Sequence, residues 1–164
     1  WSNQQLRQLL HEHASEVKRL GWIDIHTGLG PCGHGERIFF NHDDAASLAR
    51  TRSWWGSEVT SYYDGSSDSP PLSGNLWCAV REECPQAEYT GIALEFGTLH
   101  YEKVMLALTA DHWLHVQTAP DRSVADRIRQ DMRDAFFVDT AEWKDAVLNQ
   151  AFAAAAQAVL ALQA

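Results

Sequence analysis

Apolar residues recur at helical spacing over residues 3–20, where Leu6, Leu9, Leu10, Val17 and Leu20 fall on one stripe. The pattern predicts an amphipathic helix, capped by Ser2 and stopped by Gly21. The period then changes. Trp22-Ile23-Asp24-Ile25-His26 reads as a short strand, and Arg37–Asn41, with Ile38, Phe39 and Phe40, reads as a second. Between them, Thr27–Gly35 holds four glycines and a proline in nine residues, so a loop is expected there.

Asp43 or Asp44 can cap a helix running to about Trp54. Residues 56–74 are rich in Ser, Gly, Pro and Asp and contain Tyr62 and Tyr63, which predicts a long loop with one strand at Glu58–Tyr62. A short helix over 74–84 should end at Pro85. Tyr89–Phe96 is the clearest strand, closed by Gly97. The remainder is helical. One helix covers Tyr101–Val116. A second carries the stripe Val124, Ile128, Met132, Ala135 and Phe136. A third, capped by Asp139 or Thr140, buries Trp143, Val147, Ala151, Ala154 and Ala158. Helices interleaved with three or four short strands predict an α/β fold. The strands are apolar on both faces, which predicts helices covering both faces of a mixed, mainly parallel sheet. No internal repeat and no domain boundary is visible.

Composition narrows the function classes. The chain has 164 residues, the length of one domain, and a net charge of −9. An acidic chain without clustered Lys and Arg does not suit a phosphate backbone or an anionic membrane surface, so no nucleic-acid or membrane partner is expected. The most apolar stretch, Ala151–Ala164, is alanine-rich and interrupted by Gln157 and Gln163, short of the roughly 20 apolar residues of a span. Cys32, Cys78 and Cys84 are odd in number and form no CxxC, so free thiols in a reducing, cytoplasmic compartment are expected. The chain opens on Trp1 rather than Met, which reads as a cut within something longer.

Ligands in open α/β sheets bind beyond the carboxyl ends of the strands. That rule selects His26, at the end of its strand, and Glu95, between Leu94 and Phe96. A glutamate among apolar neighbours is costly unless paired or used, and burial would raise its pKa toward that of a general base. A capped histidine and a glutamate bonded to backbone are the structural alternatives.

Longer segments carry a resemblance. Ile23-Asp24-Ile25-His26-Thr27-Gly28-Leu29-Gly30-Pro31, followed by Gly33-His34-Gly35-Glu36, resembles the segment around the third zinc ligand of a bacterial branch of the carboxypeptidase A-like metallopeptidases. Ile92-Ala93-Leu94-Glu95-Phe96-Gly97-Thr98 resembles the strand bearing that family's catalytic glutamate. Arg133–Asp139 with Trp143-Lys144, and the opening Trp1-Ser2-Asn3, are also similar, so the resemblance spans the chain.

The resemblance implies a zinc-dependent hydrolase in which two histidines and a glutamate hold the metal. By position, His26 would be the third ligand and Glu95 the proton shuttle. Gly28, Gly30, His34, Glu36 and His100 would line the substrate cleft. The family's His-x-x-Glu ligand pair and its carboxylate-binding Asn-Arg pair lie upstream of this segment and are not in the chain. The resemblance therefore implies the C-terminal half of a catalytic domain, inactive alone, whose partner is the missing N-terminal half or a second copy. The substrate would be a peptide or, as in the aspartoacylase-like branch, an N-acyl amino acid. A non-catalytic, partner-binding module that keeps the fold is the rival from another class. His13-Ala14-Ser15-Glu16 has the letters of the ligand motif but lies in the first helix, where it reads as coincidence. His112 and His115 could bind metal across a helix face, but nothing of matching spacing joins them. Tyr62 and Tyr63 read as surface loop.

Overall fold

Strand β3 (Glu88–Gly97) is the middle strand of a three-stranded sheet with order β1-β3-β2, flanked by β1 (Arg19–Cys32) and β2 (Gly35–Phe39). The computed structural model describes residues 1–164. β1 and β3 run parallel: Glu88 N–H bonds Lys18 O where both begin, and Gly33 N–H bonds Gly97 O where both end. β2 runs antiparallel to β3, with Gly97 N–H on His34 O and Phe40 N–H on Gly91 O. The sheet is therefore mixed, and the chain is α/β. Every residue of β3 from Tyr89 to Gly97 is buried, without the alternation of a half-exposed strand.

Six helices complete the chain: α1 (Ser2–Ala14), α2 (Ala45–Trp55), α3 (Trp77–Glu83), α4 (Tyr101–His115), α5 (Arg122–Phe136) and α6 (Ala141–Gln163). The residues form two compact units. The first comprises Trp1–Asp24, Arg37–Leu94 and Phe152–Ala164. Its core gathers Leu10, Ala79, Val80, Cys84 and Tyr89, with α1 packed on α3, and a second cluster around Ile38, Phe40 and Ala93. Trp55, fully buried, donates its indole N–H to Ala154 O at 2.9 Å. The second unit comprises Ile25–Glu36 and Glu95–Ala151. There α4 packs on α5 and buries Val104, Ala107, Ala125 and Ala135.

The expected Ser2 cap does not form, because Ser2 is already the first residue of α1 and Trp1 takes the N-cap position without a side-chain bond, whereas the caps of α2 and α6 fall where the sequence predicts them. Asp44 accepts from Ser47 N–H at 2.7 Å to start α2, and its carboxyl pKa is lowered first by the Ser47 side chain and then by that backbone bond. Asp121 starts α5 in the same way, and Thr140 accepts from Trp143 N–H at the head of α6.

Four further expectations need correction. The first helix stops at Ala14, not near Leu20, because Lys18 O is taken by Glu88 N–H and the chain is already strand at Arg19. Gly21 accordingly sits inside β1. The predicted glycine loop, Thr27–Gly35, is largely strand: β1 continues to Cys32 through Gly28 (φ 147°) and Gly30 (φ 99°). Long-range pairing with β3 outweighs the local turn tendency, and glycine supplies the dihedrals. The strand expected at Glu58–Tyr62 reduces to one parallel bridge, Ile38 to Thr60. Finally, α6 is 23 residues long with a mean hydropathy of 1.3 over its most apolar window. By length and composition alone it reaches the size of a membrane span, because Ala146, Val147 and Leu148 extend the apolar run upstream of Ala151.

Candidate functional site

Adjacent parallel strands in register bring together residues distant in sequence. His26 on β1 and Glu95 on β3 face each other, with His26 Nδ1 4.0 Å from Glu95 Oε2. That separation exceeds a hydrogen bond but is short enough for the two groups to interact electrostatically. Both residues belong to the second unit. His26 is open to solvent, with 47% of its side chain exposed, whereas Glu95 has 11%.

The two carboxylate oxygens of Glu95 differ. Oε1 accepts from Leu29 N–H at 3.0 Å, and Oε2 faces the imidazole. Burial raises the carboxyl pKa above its usual value, while the Leu29 N–H and the His26 imidazole pull the other way and Glu36 pushes it up again. Glu36 is thus within electrostatic reach. The site pairs a reachable imidazole with a desolvated carboxylate whose affinity for a proton is raised.

Glycines allow this approach. A Cβ at Gly28 would lie 2.9 Å from the Phe136 ring and 3.6 Å from Glu95 Oε1. A Cβ at Gly97 would lie 2.2 Å from both Gly30 O and Pro31 O, so β1 and β3 meet backbone to backbone just beyond Glu95. Hydrogen bonds then lock the segment. Thr98 Oγ1 reaches Gly28 O and Ala135 O, and Thr27 Oγ1 donates to Phe136 O at 2.7 Å. Gln150 accepts from Gly35 N–H and donates to Gly33 O, while Trp143 Nε1 donates to Gly97 O.

Of the expected site residues, His26, Glu95, Gly28, Gly30 and Glu36 gather here. His34 contributes its backbone carbonyl to Gly97 N–H, and its side chain is exposed. His100 caps α4, is 75% exposed and stands 4.0 Å from Glu102. His115 pairs with Asp111 on its own helix. Tyr62 and Tyr63 lie in the first unit, their rings tilted at 46° with centroids 4.4 Å apart and both hydroxyls on Asn41 O. His13 and Glu16 also belong to the first unit. No group of three His, Cys, Asp or Glu side chains in the chain can hold a metal. The strand-end rule picked two residues that the structure brings together, but through a wrong picture, since His26 is mid-strand. Sequence reasoning missed Leu29 N–H, Phe136, Gln150 and the Thr98 hydroxyl. Thr98 lay in the quoted segment, but nothing in the sequence singles out Gln150.

The DUF2817 family, described as proteins of unknown function, matches residues 1–150. The chain belongs to the DUF2817 family. That match takes in both strands of the site and every residue that locks them, as far as Gln150 in α6. Neither the curated proteins nor the solved structures compared with this DUF2817 chain contain a match.

Proposed function

We propose that this chain is the C-terminal part of a zinc-dependent, carboxypeptidase-like hydrolase that cleaves a peptide or amide bond. The reading rests on one observation: a solvent-facing His26 and a desolvated Glu95 face each other on neighbouring parallel strands, 4.0 Å apart. Such a pair suits one metal ligand beside one proton carrier.

As a donor set the chain is incomplete. His26 offers an imidazole nitrogen, but no three-residue cluster surrounds it, so the other ligands must come from outside these residues. When bound, zinc polarises the scissile carbonyl and acidifies water. The rest of the work falls to the chain. Leu29 N–H holds Glu95 Oε1 and leaves Oε2 as the proton-accepting oxygen. Glu95 takes a proton from the attacking water as the bond from water oxygen to carbonyl carbon forms. It then delivers that proton to the leaving nitrogen as the C–N bond breaks. Its raised pKa keeps the proton available for that second transfer. The glycine-bearing backbone of β1, with Gly28 and Gly30, lets a substrate approach closely, and Glu36 stands within electrostatic reach of Glu95.

A zinc titration with a colorimetric chelator tests the incomplete donor set. The 164-residue chain should show no tight site. A tight one-to-one site abolished by His26→Ala would overturn the view that the missing ligands lie elsewhere.

A further inference from the structure

The first unit holds a cavity of about 240 Å³, walled by Asn41, His42, Ser47, Arg50, Arg81 and Glu88. Two arginines against one glutamate make it cationic, in a chain whose net charge is −9. Its size suits a single charged group rather than a drug-sized ligand.

The two arginines have different duties. Arg50 is fixed as wall: Nε donates to Thr90 Oγ1 at 2.9 Å, Nη2 to Tyr89 O at 3.0 Å and to Ser47 Oγ at 3.3 Å. Its Nη1 stands 3.6 Å from Glu88 Oε2. Arg81 is exposed on α3, and its polar contact is the Nδ1 of His42. The carboxylates beside it in sequence are engaged elsewhere, Glu82 and Glu83 both gripping Arg7.

Arg81 and the Asn41 side-chain oxygen both approach His42 Nδ1, and no single protonation state of that nitrogen serves both. Asn41, 3% exposed, turns its Oδ1 to the His42 backbone N–H at 2.8 Å, which fixes the amide orientation. The same oxygen lies 2.8 Å from His42 Nδ1. A protonated Nδ1 satisfies Asn41 but then opposes a guanidinium, which only donates. An unprotonated Nδ1 accepts from Arg81 but then faces the Asn41 oxygen lone pair to lone pair. An oxygen acceptor in the cavity removes the conflict, taking the Arg81 donors and leaving Nδ1–H to Asn41.

We propose that this cavity binds a small oxyanion, a carboxylate or phosphate group, with Arg81 as its principal donor. The planar guanidinium fork matches such groups in a bidentate fashion. Arg50 adds positive charge from the wall, and Glu88 works against the ligand. The site is independent of the hydrolase proposal, since it shares no residue with His26 and Glu95.

Isothermal titration of the full chain with potassium phosphate, and separately with potassium acetate, tests this at constant ionic strength against potassium chloride. The expected result is saturable one-to-one binding of at least one oxyanion and none of chloride. Arg81→Gln, at an exposed position, should weaken it about tenfold or more while leaving the circular dichroism spectrum unchanged. Glu88→Gln should tighten it. Saturation by phosphate alone identifies a phosphate site, and by acetate alone a carboxylate site. No saturation by either anion, equal response to chloride, or unchanged affinity in Arg81→Gln would overturn the proposal.

Discussion

Gly97→Ala is the substitution that most directly probes how β1 and β3 hold His26 beside Glu95. The added methyl would lie 2.2 Å from Gly30 O and 2.2 Å from Pro31 O, far inside contact distance. Both obstacles are backbone, so no rotamer change relieves them. One strand must move, at the cost of the bond from Gly33 N–H to Gly97 O and the bond from Trp143 Nε1 to the same oxygen. Overpacking typically costs about 1–3 kcal/mol, and rigid neighbours on both sides place this case near about 3 kcal/mol. For a chain of this size that corresponds to a Tm lower by about 6–12 °C. Gly65→Ala is the reference: its backbone also needs glycine (φ 76°), but nothing lies within 4 Å, so its cost is that of the dihedral alone, about 1 kcal/mol. Thermal and urea unfolding of both variants would measure the difference. A Gly97→Ala protein as stable as Gly65→Ala would refute the close backbone approach at the site.

Glu95 also gives a pH signature. Its carboxyl pKa is raised by burial above the ordinary 4.5, so the folded chain holds that proton more tightly than the unfolded chain. Its contribution is therefore favourable at low pH and is lost as pH rises from the unfolded value through the folded one. Glu95→Gln should match wild type in urea midpoint below the unfolded value and exceed it near neutrality, and a variant less stable at neutrality would contradict the burial argument. Thr98→Val keeps the shape of a buried side chain but removes its donor to Ala135 O and Gly28 O, so urea unfolding should show a loss of about 1–3 kcal/mol. No loss would mean that solvent or another donor serves those carbonyls.

Legibility in the sequence followed the range of the interactions. α2, α4, α5, α6 and β3 were readable because their signals are local: Asp44 and Thr140 cap, Gly97 stops, and the apolar stripe of α5 keeps a helical period. The extension of β1 to Cys32 was not readable, because a run of glycines looks like a turn until a partner strand claims its N–H and C=O groups. The end of α1 failed for the same reason, since Glu88 N–H captures Lys18 O from far along the chain. At the site, the two polar residues stood out against their surroundings. What holds them did not: a backbone N–H at Leu29 and an amide at Gln150 have no residue-type signature.

The central claim is that His26 binds metal and Glu95 carries the proton. It is tested most directly in a polypeptide that extends this chain upstream and includes a His-x-x-Glu segment, by measuring amide hydrolysis and bound zinc in the same preparations. The account predicts that Glu95→Gln keeps its zinc and loses about 10²–10⁴-fold in turnover, while His26→Ala loses the zinc itself. Full turnover in Glu95→Gln, or full zinc content in His26→Ala, would contradict it.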